Sequence, residues 1–238
     1  MVFPGTVSII IPTYNEAAHI GELLAYLGAA GAVAPAVEIL VADAHSPDDT
    51  APVAAAAGAR VVPCPRKGRA AQLNHGARHA TGAVLYFLHA DTLPPPDFLT
   101  RLRQAVGQDG AGSGCFRLRF NHPHWFLRLS AWCTRFDNDL LRFGDQSLFV
   151  RQDVFWRAGG FNEQLLVLED QEIVGRLRRH GRFCLLPSAV TTSARKYLDN
   201  GIFRLQAIFG LLCLLYHLGV SQAGLVRVYR RLIRQGKV

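Results

Sequence analysis

In the stretch "AVLYFLHADTLPPPDF" (83–98) an apolar run stops on His89-Ala90-Asp91, and three prolines follow shortly after. A carboxylate at a strand end, kept still by a proline-stiffened turn, can hold a hard divalent cation against a diphosphate. Such a cation stabilises the charge that gathers on a departing phosphate. A second acid, Asp43, closes the apolar run "VEILVAD" (37–43). A third feature is Glu169-Asp170, which opens "EDQEIVGRLRRHG" (169–181). Two acids there balance a helix macrodipole, and one of them is equally placed to act as a general base on a hydroxyl. Asp91 and Asp43 also have a plainer reading, as turn or helix-cap residues. Arg66, Lys67 and Arg69 precede or open a helix and would neutralise phosphates, or simply solvate a surface. The nine histidines are scattered without paired-ligand spacing.

Strand and helix signals alternate through the first ninety residues and put these groups in place. "VSIII" (7–11) reads as a buried strand. Thr13-x-x-Glu16 has the form of a capping box, and Ile20, Leu23, Leu24 and Leu27 give a helical stripe. "VEILVAD" is the second strand, 46–58 a helix ending at Gly58, 59–63 the third strand, 68–82 a helix and 83–88 the fourth strand. This alternation predicts an α/β fold with a mostly parallel sheet covered on both faces. Ligands of such sheets collect at the carboxyl ends of the strands. That places Pro12-Thr13-Tyr14-Asn15-Glu16, Asp43 and His89-Ala90-Asp91 on one edge. Beyond residue 110 the rhythm breaks: "GAGSG" (110–114) reads as a turn, 112–120 as a strand, and 124–141 and 169–181 as helices.

No Gly-x-Gly-x-x-Gly follows the first strand, and no glycine-rich loop ends in Lys-Ser/Thr, so the dinucleotide and P-loop signatures are both missing. Five dispersed cysteines without a Cys-x-x-Cys pair point to reduced thiols in a cytosolic setting, not a thiolate zinc site. The N-terminus lacks the basic flank and apolar length of a signal peptide. The net charge of +8 is uneven: residues 1–60 carry one basic and six acidic side chains, residues 181–238 nine basic and one acidic. A basic end suits an anionic surface. No stacking aromatics interleave a basic groove-like segment, which argues against nucleic acid.

Taken in order, "SIIIPTYNE", "VEILVADAHSPDDT", "RKGRAAQLNHGARHATGAVLYFLHADTLPP" and "GGFNEQLLVLEDQEIVGRLRRHG" resemble family-2 glycosyltransferases with the GT-A fold. The resemblance covers residues 5–195. Within the family, "HADT", "GDQ" and "TSAR" look most like a small bacterial subgroup linked to arsenosugar biosynthesis. The likeness implies a Rossmann-like GT-A domain over 1–200 and roles for its residues. Pro12, Thr13, Tyr14, Glu16 and Asp43 would cradle the base and ribose of a nucleotide-sugar. Arg69 would lie near the diphosphate, with Asn74 closing that block. Asp91 would be the last acid of the family's Asp-x-Asp motif and bind Mg2+ or Mn2+. Asp170 would be the catalytic base beside Glu169, and Gly144, Asp145 and Gln146 would border the acceptor. The chain departs from the pattern at His89, which stands where the motif has its first acid; it would ligate the metal or touch the donor, or the metal would rely on Asp91 and water.

The implied activity is inverting, metal-assisted transfer of a sugar from a nucleotide-sugar to an acceptor hydroxyl or phosphate. Two rivals share the fold: a sugar-nucleotide pyrophosphorylase, which would want a glycine-rich basic loop after the first strand, and a binding module without turnover. At the end of the chain, residues 201–238 read as a helical segment. "IFRLQAIFGLLCLLYHLGV" (202–220) is apolar on nearly every side, but its uninterrupted apolar run is too short to span a bilayer. "LVRVYRRLIRQGK" (225–237) sets Arg227, Arg230, Arg231 and Arg234 opposite Leu225, Val228, Leu232 and Tyr229. These helices suit a peripheral attachment to the inner face of a membrane, a homodimer contact, or packing on the first domain. A lipid-linked acceptor would go with the first of these.

Overall fold

The computed structural model describes residues 5–32, 36–139, 142 and 144–234. The far ends of two expected helices, 140–141 and 235–237, lie outside the described residues. The first half runs β1 (Val7–Thr13), α1 (Ala17–Leu27), β2 (Val37–Asp43), α2 (Thr50–Ala56), β3 (Arg60–Pro63), α3 (Arg69–His79) and β4 (Val84–Phe87). Then follow β5 (Thr92–Leu93), α4 (Phe98–Gly107), β6 (Ser113–Phe120), α5 (Trp125–Cys133), β7 (Leu148–Arg151) and α6 (Gln152–Arg157). The remainder is α7 (Glu169–Arg178), β8 (Phe183–Thr192), α8 (Arg195–Asn200), α9 (Ile202–His217) and α10 (Gln222–Leu232).

The eight strands among the described residues join one sheet in the order β3-β2-β1-β4-β7-β6-β8-β5. The β3-β2-β1-β4 half is parallel, with Thr13 level with Asp43 and Asp43 level with Pro63. Strand β7 runs antiparallel to both β4 and β6. A parallel sheet buries both faces, which is why β1 and β4 read as unbroken apolar runs. Alternate side chains part company accordingly. Ile9, Ile11 and Tyr86 join α1, α4 and α5 through Leu23, Phe98 and Leu127 on one face. Ile10, Leu85 and Phe87 meet α3, α6 and α7 through Leu73, Phe155 and Ile173 on the other.

The structure departs from the sequence reading in several places. The capping box does not form. Thr13 donates its hydroxyl to Asp43 instead, at 2.9 Å, and Glu16 caps α1 without a side-chain bond. The free amides of that turn are met from the start of α2: Glu16 N–H donates to Thr50 Oγ1 (2.8 Å) and Ala17 N–H to Asp48 Oδ2 (3.2 Å). Two orphan donors are thereby satisfied by a neighbouring element, not by the helix's own sequence. "GAGSG" is only partly a turn, because Ser113 and Gly114 already belong to β6. A Cβ on Gly114 would fall 2.1 Å from the Cys184 carbonyl oxygen, so only glycine lets β8 approach this closely. In that pairing Phe116 faces Leu186 and Arg117 faces Ala189, which leaves Pro187 and Ser188 in a bulge.

The C-terminal helices do not stand apart. Leu205, Ile208 and Leu212 of α9 pack with Leu225 and Tyr229 of α10, and the same cluster takes in Val167 from the loop before α7. Helix α10 therefore spends its apolar face on α9 and leaves its arginines outside. Among the described residues no helix is long and apolar enough to cross a membrane.

Candidate functional site

The carboxyl ends of β1 and β2 form one wall. Asp43, buried, accepts from Thr13 and also from Ser46, through its amide (2.8 Å) and its hydroxyl (2.6 Å). Gln72 of α3 donates to the Thr13 carbonyl at 2.6 Å and to the Ala42 carbonyl at 2.9 Å, which fixes both strand ends. Pro12 sits level with Ala42 one residue earlier. Tyr14 lies under Lys67, whose ammonium donates to its hydroxyl at 2.7 Å and rests 4.1 Å from its ring centroid. Backbone strain gathers on this rim. Among the described residues the non-glycine positive φ angles belong to Asn15, His45, Ser147 and Leu168. Asn15 and His45 follow β1 and β2, and the other two flank the turn and helix described next. Such strain persists where the surroundings over-determine it, which is typical of sites that bind or react.

The end of β4 brings His89 and Asp91. His89 Nδ1 lies 3.1 Å from Asp145 Oδ1, which comes from the turn Gly144–Gln146. Burial and Arg69 oppose the imidazolium, but the Asp145 carboxylate outweighs them and holds His89 above its ordinary pKa. The same contact brings Asp145 down to about 2 against the cost of its own burial. Asp91 is open at the surface but crowded by protein on its other sides; that desolvation, then the negative charge of Asp145 and Glu16, raises it against the pull of His89 and Arg195. An exposed carboxylate beside a second acid, Asp145, fits a hard divalent ion by donor chemistry. No three His, Cys, Asp or Glu side chains stand gathered as a ligand set among the described residues. A metal here would thus rest on Asp91 and take its remaining oxygens from phosphate and water.

Across from these, α7 has Leu168 as its N-cap and opens on two acids, Glu169 and Asp170, set toward Arg69 of α3. Arg69 binds both: its Nη1 is 3.0 Å from Asp170 Oδ2 and 3.3 Å from Glu169 Oε1. The pair is open, with the Arg69 side chain 41% exposed and that of Asp170 16%. Desolvation of the part of Arg69 that faces the protein works against its charge, and Glu169, Asp170 and Asp145 overcome it, raising its pKa. Asp170 lies directly on Gly144, where a Cβ would sit 2.2 Å from its Oδ2. Below this rim a cavity of about 20 Å³, bordered by His89, Gly144, Asp170, Phe87 and Phe161, has room for one water only. Any sugar-sized ligand must lie above it.

Glu169 is buried, and burial followed by the Asp170 charge pushes it up to about 7. A carboxyl raised in the folded state contributes stability that is fully present below its unfolded pKa and lost as pH rises through its folded one. Glu169→Gln cannot ionise. Its melting temperature relative to the unaltered chain should therefore rise between pH 4.5 and about 7, and a constant difference across that window would contradict the assignment.

Two expected site residues have their side chains bonded within the protein. Asn74, buried on α3, donates to the Phe161 carbonyl (2.8 Å) and Glu163 (2.9 Å) and accepts from the Phe161 amide (2.9 Å). It straps the 160–163 turn. Gln146 is buried and donates to the Phe116 carbonyl at 3.0 Å, which anchors its turn to β6. The sequence reading also missed residues from the far end of the chain. Arg195 lowers the Asp91 pKa, and Lys196 lowers that of Asp145. Lys196 is itself held by Tyr229 of α10 at 2.7 Å. The "TSAR" stretch was the available signal, but nothing local tells which strand end it faces.

Comparison with known proteins gives a consistent picture. The family described as Glycosyl transferase family 2 matches residues 8–157. An undecaprenyl-phosphate 4-deoxy-4-formamido-L-arabinose transferase of Sodalis glossinidius is 28% identical over 212 residues, 86% of this chain and 61% of that protein. The chain thus spans about three fifths of that relative's length. Among solved structures, a mannosyltransferase of Pyrobaculum calidifontis in complex with GDP-Man and Mn2+ superposes with a TM-score of 0.70 at 22% identity, covering 87% of this chain and 62% of that one. Glucosyl-3-phosphoglycerate synthase of Mycobacterium tuberculosis, in complex with Mn2+, UDP and glucosyl-3-phosphoglycerate, gives 0.62 at 19% identity, covering 92% and 81%. At these identities the two structures establish a shared fold.

Proposed function

Because the chain belongs to glycosyl transferase family 2, we propose that it moves a sugar from a nucleotide-sugar to an acceptor, with inversion at the anomeric carbon. The observation that carries this reading is the open pairing of Asp170 with Arg69 above Gly144, on the rim shared with His89, Asp145 and Asp91. One side of the rim offers an acid to a diphosphate and its cation, the other a base to an attacking oxygen. The base and ribose would lie along Pro12, Thr13, Tyr14 and Asp43, with Glu16 near the diphosphate end. Arg69, Arg195 and Lys196 would meet phosphate oxygens. Asp91 would hold the Mg2+ or Mn2+, which when bound neutralises charge on the leaving diphosphate. Asp170 would take the proton of an acceptor hydroxyl as that oxygen attacks from the opposite face.

The names of the curated relatives favour a lipid-linked acceptor, and with it work at the inner face of a membrane. The narrower kinship with the arsenosugar-linked subgroup rests on "HADT", "GDQ" and "TSAR". A pyrophosphorylase reading finds no support, since the turn after β1 reads Tyr14-Asn15-Glu16 and lacks glycine.

A thermal-shift screen against UDP-, GDP- and dTDP-sugars with and without Mn2+ tests the donor, and the anomer of the product tests inversion. Asp91→Ala should weaken Mn2+-dependent donor binding by about tenfold or more in calorimetry while leaving metal-free binding unchanged. Equal Mn2+ dependence in the variant would remove Asp91 from the metal.

A further inference from the structure

Helix α9 is apolar on both sides. Its inner side, with Leu205, Ile208 and Leu212, is spent on α10 and the loop before α7. Its outer side exposes Phe203 (54%), Leu214 (57%) and Leu218 (71%). A helix apolar all round belongs in a core or against lipid. Helix α5 and the turn after it continue this face with Trp125 (62%), Trp132 (46%) and Phe136 (49%) at helical spacing. The two helices meet through Phe203, whose ring centroid is 5.9 Å from that of Trp125 and 4.9 Å from that of Phe126. One aromatic and leucine-rich face therefore runs across elements far apart in sequence.

The charge around this face is mainly positive; Asp137 and Asp139, exposed just past Phe136, are both paired with Arg178. Residues 121–136 and 200–238 contain no Asp or Glu. Arg128, Arg135 and Arg204 are exposed beside the apolar positions, and Arg135 stacks 4.8 Å from the Trp132 ring. A second copy of the chain is poorly matched to such a surface, because a two-fold contact would set arginine rims against each other. An anionic bilayer matches both parts: apolar side chains enter the interface, tryptophans sit at headgroup depth, and arginines reach the phosphates. The described helices are too short to do more than lie there.

We propose that the joined outer face of α5 and α9 docks on an anionic lipid surface. This differs from the attachment expected from sequence, since the apolar face of α10 is buried. The proposal rests on the sugar-transfer reading for its purpose, but not for its geometry.

The test is co-sedimentation with phosphatidylcholine vesicles, with and without phosphatidylglycerol, together with tryptophan quenching by brominated lipid. The unaltered chain should bind the phosphatidylglycerol vesicles more tightly and be quenched by them. The double variant Trp132→Ser, Leu214→Ser should lose at least about tenfold in partitioning, with its melting temperature and nucleotide-sugar binding unchanged. Equal partitioning of both proteins, or no preference for anionic vesicles, would overturn the proposal. So would a dimer in analytical ultracentrifugation that the double variant dissolves, which would name a second copy as the occupant. If vesicle binding behaves as stated while no nucleotide-sugar binds, the docking face stands and the transferase reading falls.

Discussion

Asp170→Asn should lower turnover by about 10²–10⁴-fold, the span usually lost with a general base. The asparagine keeps the shape of the side chain and an oxygen for Arg69, so the fold and the donor cleft should survive. Donor affinity measured by calorimetry should stay within about threefold of the unaltered chain, because Asp170 lies across the rim from the Asp43 and Asp91 wall. The acceptor need not be known for this measurement: slow release of free sugar to water from a bound nucleotide-sugar uses the same base. A variant that turns over as fast as the original would show that Asp170 only balances Arg69 and the α7 dipole.

Gly144→Ala should lower turnover by about 10²-fold, and for a different reason. The added methyl would sit 2.2 Å from Asp170 Oδ2 and 2.6 Å from its Cγ. The carboxylate is the softer partner and must swing aside, and a misplacement of about an ångström at a reacting group costs about this much. Gly144 has no positive φ angle, so alanine adds no backbone strain and the melting temperature should barely change. Gly175, inside α7 with nothing within 4 Å of its would-be Cβ, supplies the control: Gly175→Ala should leave turnover intact. If Gly144→Ala retains full turnover and donor binding, the position of Asp170 on that glycine has no bearing on the reaction.

Much of the fold could be read from the first ninety residues, since β1 and β4 are buried on both faces and carry the apolar runs that burial demands, while β2 and the short edge strand β3 are set off by turn signals. Strand β8 escaped because it mixes buried and half-exposed positions and carries Pro187 in its bulge. Helix α1 was placed well, yet its cap was not, because the groups that satisfy its first amides come from α2. The same limit shapes the site. Asp43 and Asp91 were legible as strand ends and Glu169-Asp170 as a helix start, because each depends on local pattern. Asn74 and Gln146 show how a polar residue that straps a buried turn looks, in sequence, like one that faces a ligand. The seat of Asp170 on Gly144 and the nearness of Lys196 to Asp145 join segments remote in the chain, and no spacing rule encodes them.

The tether between α10 and the loop before α7 bears on how the protein comes into being. Gln222 accepts from the amides of Leu166 and Val167 at 3.2 and 3.4 Å, two residues or fewer ahead of the left-handed Leu168 that launches α7. Chains emerge from the ribosome amino end first, and early segments fold as they appear. The β1–β4 wall can thus form while the remainder is still being made. The loop that aims Asp170 gains its last anchor only when α10 has been synthesised, so a nascent chain would acquire a place for the nucleotide well before it acquires the means to react it.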